Sequence, residues 1–291
     1  MKIINGIYGN GDELAIETNN GIFRVSSLAK AAASTRHISM DSLLTEGREA
    51  LDELRSWIER AQRSGVEPDG SPKAWLSPVA SPGKIICVGL NYRPHVEESG
   101  LELPKTPVLF SKFTTSLVGQ GATVSAPIGA REFDYEAELV AVIGQTCSKV
   151  NEDDALDYVL GYCNGNDLSA RDLQFRTAQW LLGKACDGFG PMGPYLVTSD
   201  EVPDPTHLSI EGRRNGIVVQ QANTADMIFS VPYLISYISQ FMTLTPGDVI
   251  FTGTPDGVIL GYPESQREWL RSGETFTVAI EGLGELITHI G

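Results

Sequence analysis

Three acidic side chains in two separate segments are the first candidates for chemistry in this sequence. Glu136 and Glu138 lead into the apolar run from Leu139 to Ile143, and Asp167 lies in a turn rich in Asn, Asp and Ser. In a strand, positions two apart point to the same face, so Glu136 and Glu138 are predicted to lie side by side. Like charges that close raise each other's pKa unless a cation lies between them. The alternative interpretation is a solvated strand end with two separated acids.

The types of ligand decide which metal such acids could hold. Oxygen ligands suit Mg²⁺ or Mn²⁺, and Ca²⁺ also binds such groups, with water completing the coordination. A zinc site is disfavoured because the four cysteines are far apart in the sequence. A non-haem iron site is disfavoured because the four histidines include no pair at close ligand spacing. The donor types therefore leave Mg²⁺, Mn²⁺ and Ca²⁺ as the candidate ions.

His95 and Glu98 form a second candidate group. Both follow Pro94 in the segment from Arg93 to Glu98. If Pro94 opens a helix, the two side chains lie three residues apart on one face, where the carboxylate can fix the imidazole tautomer and raise its basicity. That arrangement is typical of a general base. The alternative is an ordinary exposed ion pair on a helix.

Two further positions could contact an anionic substrate. Lys184 lies between Gly183 and Gly188 and could meet a substrate carboxylate or a developing enolate, or it could be a solvated loop lysine. Thr254 follows the apolar run from Val249 to Phe251, and its hydroxyl could bind a carboxylate. A purely structural turn is the alternative for Thr254.

The elements that must hold these residues are mostly strands. Residues 139–143 are apolar at every position, which is typical of a strand buried on both faces. Asn215-Gly216 separates two strand-like runs, a strong hairpin signal. Helical patterns are predicted only at a few places, among them residues 151–160 and 231–241. We predict an α+β, β-dominated fold with a catalytic domain over residues 76–291.

Residues 1–75 are predicted to form a small N-terminal α+β domain. Hairpin signals occur from Gly9 to Asp12 and from Asn19 to Gly21. Residues 65–83 are rich in Pro, Gly and Ser, which is typical of a linker. Before this linker, one helix face is apolar and is formed by Leu51, Leu54, Ile58 and Ala61.

Composition and charge exclude several classes of partner. The chain has 291 residues, of which 42% are hydrophobic, so it can bury a substantial core. A formal net charge of -15 disfavours nucleic acid and anionic membranes as partners, because both need clustered Lys and Arg. No run approaches the roughly 20 apolar residues of a membrane helix. We therefore expect a cytoplasmic protein, in which an anionic substrate would need a local cationic pocket.

Taken as a set, the residues of several segments and their order along the chain resemble the fumarylacetoacetate hydrolase superfamily. The resemblance is to its acylpyruvase-like and 2-hydroxyhepta-2,4-diene-1,7-dioate isomerase-like members. The matching stretches span residues 84 to 258 and are Ile86 to Tyr92 with His95, Phe110 to Lys112, Asp134 to Leu139, Asn166 to Gln174, Thr224 to Phe229, and Pro246 to Asp248 with Thr252 to Pro255. The first 75 residues resemble the variable domain that this family often carries.

The resemblance implies a catalytic domain of mixed β-sandwich and β-roll type, usually in a homodimer. It implies Mg²⁺ or Mn²⁺ on Glu136, Glu138 and Asp167. It also implies that His95 and Glu98 activate water on a short helical lid and that Lys184 contacts the reacting substrate. Leu90 stands where acylpyruvase-like relatives often have Arg, so the preferred acid stays open. Further implied substrate contacts are Lys112, Arg171, Gln174 and Thr254.

The implied substrate is a small 2-oxo acid with a second carbonyl further along its chain. The leading interpretation is a hydrolase that cleaves acylpyruvates or related β-diketo acids, of the fumarylpyruvate or fumarylacetoacetate type met in aromatic catabolism. Oxaloacetate decarboxylation, or isomerisation of unsaturated 2-oxo dioic acids, would use the same stabilised enolate. An interpretation of another class is a non-catalytic protein that holds a metal and a small molecule.

Overall fold

The computed structural model describes residues 1–9, 11–98, 100 and 102–291, and most of its regular structure is strand. The strands are β1 (Lys2–Tyr8), β2 (Gly11–Thr18), β3 (Gly21–Arg24), β4 (Ala74–Trp75), β5 (Ile85–Gly89), β6 (Val108–Ser111), β7 (Leu117–Val118), β8 (Thr123–Val124), β9 (Phe133–Asp134), β10 (Ala137–Ile143), β11 (Val159–Asn166), β12 (Ser169–Ala170), β13 (Gly190–Thr198), β14 (Ser209–Arg214), β15 (Ile217–Asn223), β16 (Val249–Phe251), β17 (Thr275–Ile280) and β18 (Gly284–Ile290).

Most of the helices are short, and α3 is the longest of those described. They are α1 (Val25–Ala31), α2 (Met40–Glu46), α3 (Arg48–Arg63), α4 (Arg93–Glu98), α5 (Arg171–Gln174), α6 (Leu181–Lys184) and α7 (Val231–Ser239). Segments of 3₁₀ helix occur at Thr114–Ser116, Glu152–Tyr158, Ser199–Glu201, Thr224–Asp226, Ile259–Gly261 and Glu264–Gln266. No helix among the described residues is long and apolar enough to cross a membrane.

Two mixed sheets dominate the fold. The larger one has the strand order β3-β2-β1-β13-β11-β10-β16-β5-β6, with β4 beside β1 and β7 beside β13. The smaller one has the order β15-β14-β17-β18-β8, and β9 pairs with β12 separately. The predicted α+β, β-dominated class is confirmed.

Strand β10 is the centre of the sandwich. Its Leu139 and Ala141 belong to the core shared with the smaller sheet, where Val278 also lies. Val140 and Val142 belong to the core on the opposite face. The two cores explain the uninterrupted apolar run, because alternate side chains of a strand point to opposite faces and both faces are covered here. The prediction of a strand buried on both faces is confirmed.

The N-terminal strands extend the larger sheet. Strand β1 pairs with β13, so residues 1–75 share a sheet with the rest of the chain. Helix α3 buries Leu51, Leu54 and Ala61 of the predicted face, while Ile58 is partly buried. Trp57, which was not predicted, joins them in the core. Within residues 65–83, all of them described, β4 is the one regular element. The division near residue 75 stays a prediction about the chain's organisation, and Asn10, in the first predicted hairpin, lies outside the described residues.

One predicted helix differs from the structure. The segment 151–160 forms a 3₁₀ turn at Glu152–Tyr158, and its last residues already belong to β11. Pairing with β10 and β13 on both sides outweighs the local helical preference there. The Asn215-Gly216 hairpin is confirmed, with both residues at positive φ as a tight β-hairpin turn requires.

Candidate active site

The pairing of β10 with β11 brings the three predicted carboxylates together. Glu138 lies opposite Gly165 in this register, and Glu136 and Asp167 flank the paired segment. The backbone N–H of Asp167 donates to the carbonyl oxygen of Glu136 at 3.0 Å, which fixes the turn that carries it. Each of the three acids offers a carboxylate oxygen within 4.8 Å of the others, and all three are buried.

Basic side chains balance two of the three acids. Lys184 Nζ lies 2.7 Å from Glu136 Oε2 and 2.9 Å from Asp167 Oδ2. Arg171 lies 2.7 Å from Glu136 Oε1, and Lys112 Nζ lies 2.5 Å from Asp167 Oδ1. Burial acts to raise the pKa of Glu136, but the charges of Lys184 and Arg171 outweigh it and lower that pKa to about 2. The same two acids, Asp167 and Glu136, raise the pKa of Lys184 against the effect of its burial.

Glu138 is the acid left without a cation. Its Oε2 accepts a hydrogen bond from Gly253 N at 2.8 Å, and it forms no ion pair with any described residue. Burial, followed by the charges of Asp167 and Glu136, raises the pKa of Glu138 well above its usual range. Asp167 Oδ1 is buried and accepts no hydrogen bond from the described residues, despite its ion pair with Lys112. A buried set of oxygen ligands, one of which has no cationic partner among the described residues, fits Mg²⁺ or Mn²⁺.

His95 and Glu98 lie on α4 as the spacing predicts. His95 Nδ1 is 2.8 Å from Glu98 Oε1, and Glu98 Oε2 accepts a hydrogen bond from Gly257 N at 3.0 Å. The exposed-pair alternative does not hold, because His95 is 6% exposed and the Glu98 side chain 20%. With Nδ1–H donated to the carboxylate, Nε2 of His95 is left as the basic nitrogen.

These groups share one cavity of about 300 Å³. Glu136 lines it, together with Lys184, His95 and Glu98, while Glu138 and Asp167 lie deeper in the same cluster. The remaining wall is mostly apolar and consists of Val88, Gly89, Leu90, Phe110, Phe175, Trp180 and Leu260. The His95–Glu98 pair, a lysine side chain and an acidic cluster therefore meet around a space the size of a small organic acid.

The four predicted substrate contacts divide into two groups. Arg171, Gln174 and Thr254 line the cavity. Lys112 does not, because its buried ammonium contacts Asp167 and the backbone oxygen of Lys184. The geometry assigns Lys112 to holding Asp167. Direct contact between Lys112 and substrate stays a prediction, and this position of the ammonium could not be read from the sequence, since spacing does not show which way a side chain leaves a strand end.

Sequence reasoning missed Asp134 as an anchor of the site. Its carboxylate accepts from Arg171 Nε at 2.9 Å and from the backbone N–H groups of Ile259 and Leu260 at 2.8 and 3.0 Å. Asp134 thereby fixes both Arg171 and the turn that places Leu260 in the cavity wall. The acid stands in the segment that drew attention to Glu136, but its partners are distant in sequence and gave no local signal.

Gly261 leaves room for the Glu98 side chain beside His95, which leads to a first prediction. A Cβ added at Gly261 would lie 2.4 Å from Glu98 Cδ. Gly261→Ala should keep the fold, because the carboxylate end of Glu98 can swing away, but Glu98 would then leave His95. We expect kcat to fall about ten- to hundredfold, since misplaced catalytic groups cost that order. Steady-state kinetics beside a thermal melt would check it.

The control for Gly261→Ala is Gly11→Ala, where an added Cβ meets nothing within 4 Å. Glu98→Ala should reproduce the kinetics of Gly261→Ala. Full activity of Gly261→Ala with an unchanged melting temperature would show that activity does not depend on the present position of Glu98.

Comparisons with known proteins agree on one family. Residues 84–291 match the model of the fumarylacetoacetate (FAA) hydrolase C-terminal domain. The chain is 43% identical over 221 residues to oxaloacetate tautomerase Fahd2a, mitochondrial, of Rattus norvegicus, covering 76% of this chain and 70% of that protein.

Solved structures show the same relationship. Fumarylacetoacetate hydrolase from psychrophilic Exiguobacterium antarcticum is similar with a TM-score of 0.83 at 32% identity, over 100% of this chain and 99% of that one. Fumarylpyruvate hydrolase from Pseudomonas aeruginosa, in complex with Mn²⁺ and pyruvate, is similar with a TM-score of 0.67 at 32% identity, over 76% and 93%.

Proposed function

The chain belongs to the fumarylacetoacetate hydrolase family, and on that premise we propose that it is a divalent-metal-dependent hydrolase of acylpyruvates or related β-diketo acids. The observation that carries the proposal is the buried His95–Glu98 pair, at 2.8 Å, in the wall of the cavity that Glu136 and Lys184 also line. A general base beside an anion-stabilising cluster is what hydrolysis of an activated carbon–carbon bond needs.

The proposed metal ligands are Glu136, Glu138 and Asp167, which fit Mg²⁺ or Mn²⁺ by donor type, burial and unbalanced charge. When bound, such an ion supplies Lewis-acid stabilisation of the negative charge that develops on a 2-oxo acid. The Mn²⁺ and pyruvate bound to the related fumarylpyruvate hydrolase support this choice of ion and of substrate class.

The protein's own groups carry the proton and orient the substrate. His95 Nε2 takes a proton from water, whose oxygen bonds to the distal carbonyl carbon, and Glu98 stabilises the imidazolium through Nδ1–H. The bond between the acyl carbon and C3 of the pyruvate unit then breaks, and its electron pair becomes the enolate of pyruvate. Return of the proton to that carbon gives pyruvate and a free carboxylic acid. Lys184, positively charged and buried, lies where it can stabilise the enolate.

The remaining wall positions the substrate and excludes water. Thr254 is held by Gln220, whose Nε2 donates to Thr254 Oγ1 at 2.8 Å, so the hydroxyl proton of Thr254 is free to donate to a carboxylate. Trp180 and Phe110 pack edge to face at 5.5 Å and keep one side of the cavity apolar. An apolar wall lowers the local dielectric constant and so strengthens the electrostatic contacts that Lys184 and Glu136 make on the other side of the cavity.

The testing experiment compares substrates under one condition. Acetylpyruvate, fumarylpyruvate and oxaloacetate are assayed side by side with Mg²⁺ or Mn²⁺, and pyruvate release from the two acylpyruvates is the expected result. If only oxaloacetate is turned over, the proposed reaction would be decarboxylation or tautomerisation instead of hydrolysis. No turnover of any of the three would favour a non-catalytic small-molecule binder.

A second candidate is the tautomerisation of oxaloacetate. The relative from Rattus norvegicus, an oxaloacetate tautomerase at 43% identity, favours this reaction. The same His95 could move a proton between C3 and the enol oxygen with no attacking water, so the site geometry is compatible with it. The decay of the enol absorbance of oxaloacetate, with and without protein, measures this reaction apart from pyruvate release.

A homodimer is our proposal for the assembly, and it gives a second prediction. Phe113, Leu181 and Met242 are 53%, 41% and 39% exposed and line one shared groove. A second copy covering this groove would bury them, so light scattering at micromolar concentration should give twice the 31.5 kDa chain mass. Phe113→Glu should shift the mass toward the monomer, whereas Ile128→Glu, at a fully exposed apolar residue outside the groove, should not. A monomeric mass for the unaltered chain would refute the dimer.

A cytoplasmic location likewise stays a proposal.

A further inference from the structure

Besides His95, the cavity is lined by one lysine and two arginines, which differ in their partners. Arg171 is paired with Asp134 and Glu136, at 2.9 and 2.7 Å. Lys184 is paired within the acidic cluster. Arg267 also lines the cavity, but no carboxylate of the described residues lies within ion-pair distance of it. In a chain with a net charge of -15, a cavity arginine without an acidic partner calls for an explanation.

Arg267 is nevertheless held in place. Its Nε donates to the carbonyl oxygen of Tyr262 at 2.8 Å, which leaves both terminal nitrogens of the guanidinium without a partner among the described residues. The loop that carries it is tied to β9 at both ends. The N–H of Leu260 donates to Asp134 at 3.0 Å, and the N–H of Leu270 donates to the carbonyl oxygen of Phe133 at 2.9 Å. Such fixing lowers the entropy lost when a ligand binds.

The position of Arg267 in the cavity suggests what it binds. Glu136 and Lys184, at one side, are 5% and 2% exposed, whereas Arg267 is only partly buried and Phe175 is 54% exposed. The buried acidic cluster is therefore the closed end of the cavity, and Arg267 and Phe175 lie toward its mouth. A substrate whose reacting 2-oxo end is held at the closed end points its other end toward Arg267.

We propose that Arg267 is a specificity-determining residue that binds the second carboxylate of a dicarboxylic 2-oxo acid. Two free nitrogens on one planar group match the two oxygens of a carboxylate. Leu90, Phe110 and Trp180, which line the same cavity, are uncharged and cannot form an ion pair with that carboxylate. This inference rests on the proposed function, which it deepens by naming dicarboxylic over monocarboxylic acids.

The test compares two acids of equal chain length. Fumarylpyruvate carries the second carboxylate, and 2,4-dioxoheptanoate has the same seven carbons and ends in a methyl group. Their ratio of kcat/KM should favour the diacid in the unaltered enzyme and fall about tenfold in Arg267→Gln, as loss of one partly exposed charge-assisted pair predicts. Arg267→Lys should keep part of the preference, because the charge remains without the planar fork.

Arg271→Gln is the matched control, since Arg271 lies on the same loop, is exposed and lines no part of this cavity. Its ratio should equal that of the unaltered enzyme. Calorimetric binding of 2-oxoadipate and 2-oxohexanoate with Mg²⁺ repeats the comparison without turnover. The same loss of preference should appear in Arg267→Gln even if neither acylpyruvate is cleaved, which separates failure of the proposed function from failure of this inference. An unchanged ratio in Arg267→Gln, by kinetics and by binding, would overturn the assignment of Arg267.

Discussion

Replacement of His95 by Ala is expected to lower acylpyruvate hydrolysis about 10²- to 10⁴-fold, the usual loss for a positioned general base. Hydrolysis requires a base to generate the attacking hydroxide from water. Decarboxylation of oxaloacetate requires no attacking water and depends mainly on stabilising the enolate. The decarboxylation rate should therefore fall much less, and Glu98→Gln should act in the same direction with a smaller effect. Both reactions can be followed in one preparation by pyruvate release.

The surface of the protein provides the matched control for His95. His207 Nδ1 lies 2.8 Å from Asp204 Oδ2, also three residues away, but the His207 side chain is 69% exposed and lines no part of the cavity. His207→Ala should leave both rates unchanged. Equal losses of hydrolysis and decarboxylation in His95→Ala, with metal binding and folding intact, would make His95 an orienting or lid residue instead of the base.

Removal of divalent metal is expected to abolish turnover, and Mg²⁺ or Mn²⁺ should restore it. Glu138 is the residue that most clearly requires a metal ion. It is buried, has no cationic partner among the described residues and has a raised pKa. Glu138→Gln should lose metal-dependent activity by several orders of magnitude. The thermal midpoint of the unaltered protein should rise when Mn²⁺ is added, since binding to the folded state stabilises it, and that of Glu138→Gln should not. Full activity in excess chelator would refute metal dependence.

Stability without metal should distinguish Glu138 from Glu136. In EDTA, Glu138→Gln should melt at the same temperature as the unaltered protein or higher, because it removes a buried acid that no base balances. Glu136→Gln should melt lower, since Lys184 and Arg171 each lose one partner. Breaking a buried ion pair typically costs about 3–5 kcal/mol. Glu97→Gln, an exposed change beside Glu98, controls for loss of charge alone.

Protein cations balance part of the repulsion expected between the three acids. Lys184, Lys112 and Arg171 were each noted in the sequence, but as groups facing substrate. In the structure all three are buried against the acids, so most of the predicted repulsion falls on Glu138 alone. Which charges pair in a buried cluster depends on side-chain direction and distance, which spacing along the chain does not contain.

The sequence by itself determined the parts of this protein that depend on short-range pattern. Period-two spacing placed Glu136 and Glu138 together before a buried strand, Pro94 with a three-residue interval placed His95 beside Glu98, and Asn215-Gly216 specified a hairpin. These features follow from backbone periodicity and turn chemistry, which act over a few residues.

Only the tertiary structure decided the contacts between distant segments. Pairing of β10 with β11 set Asp167 against Glu136, and Asp134 fixed the turn at Leu260 that forms the cavity wall. The tertiary structure likewise decided that Lys112 points away from the cavity and that Arg267 lines it. Sheet register and side-chain burial are settled by the whole core, because moving one strand by one residue would exchange its buried and exposed faces.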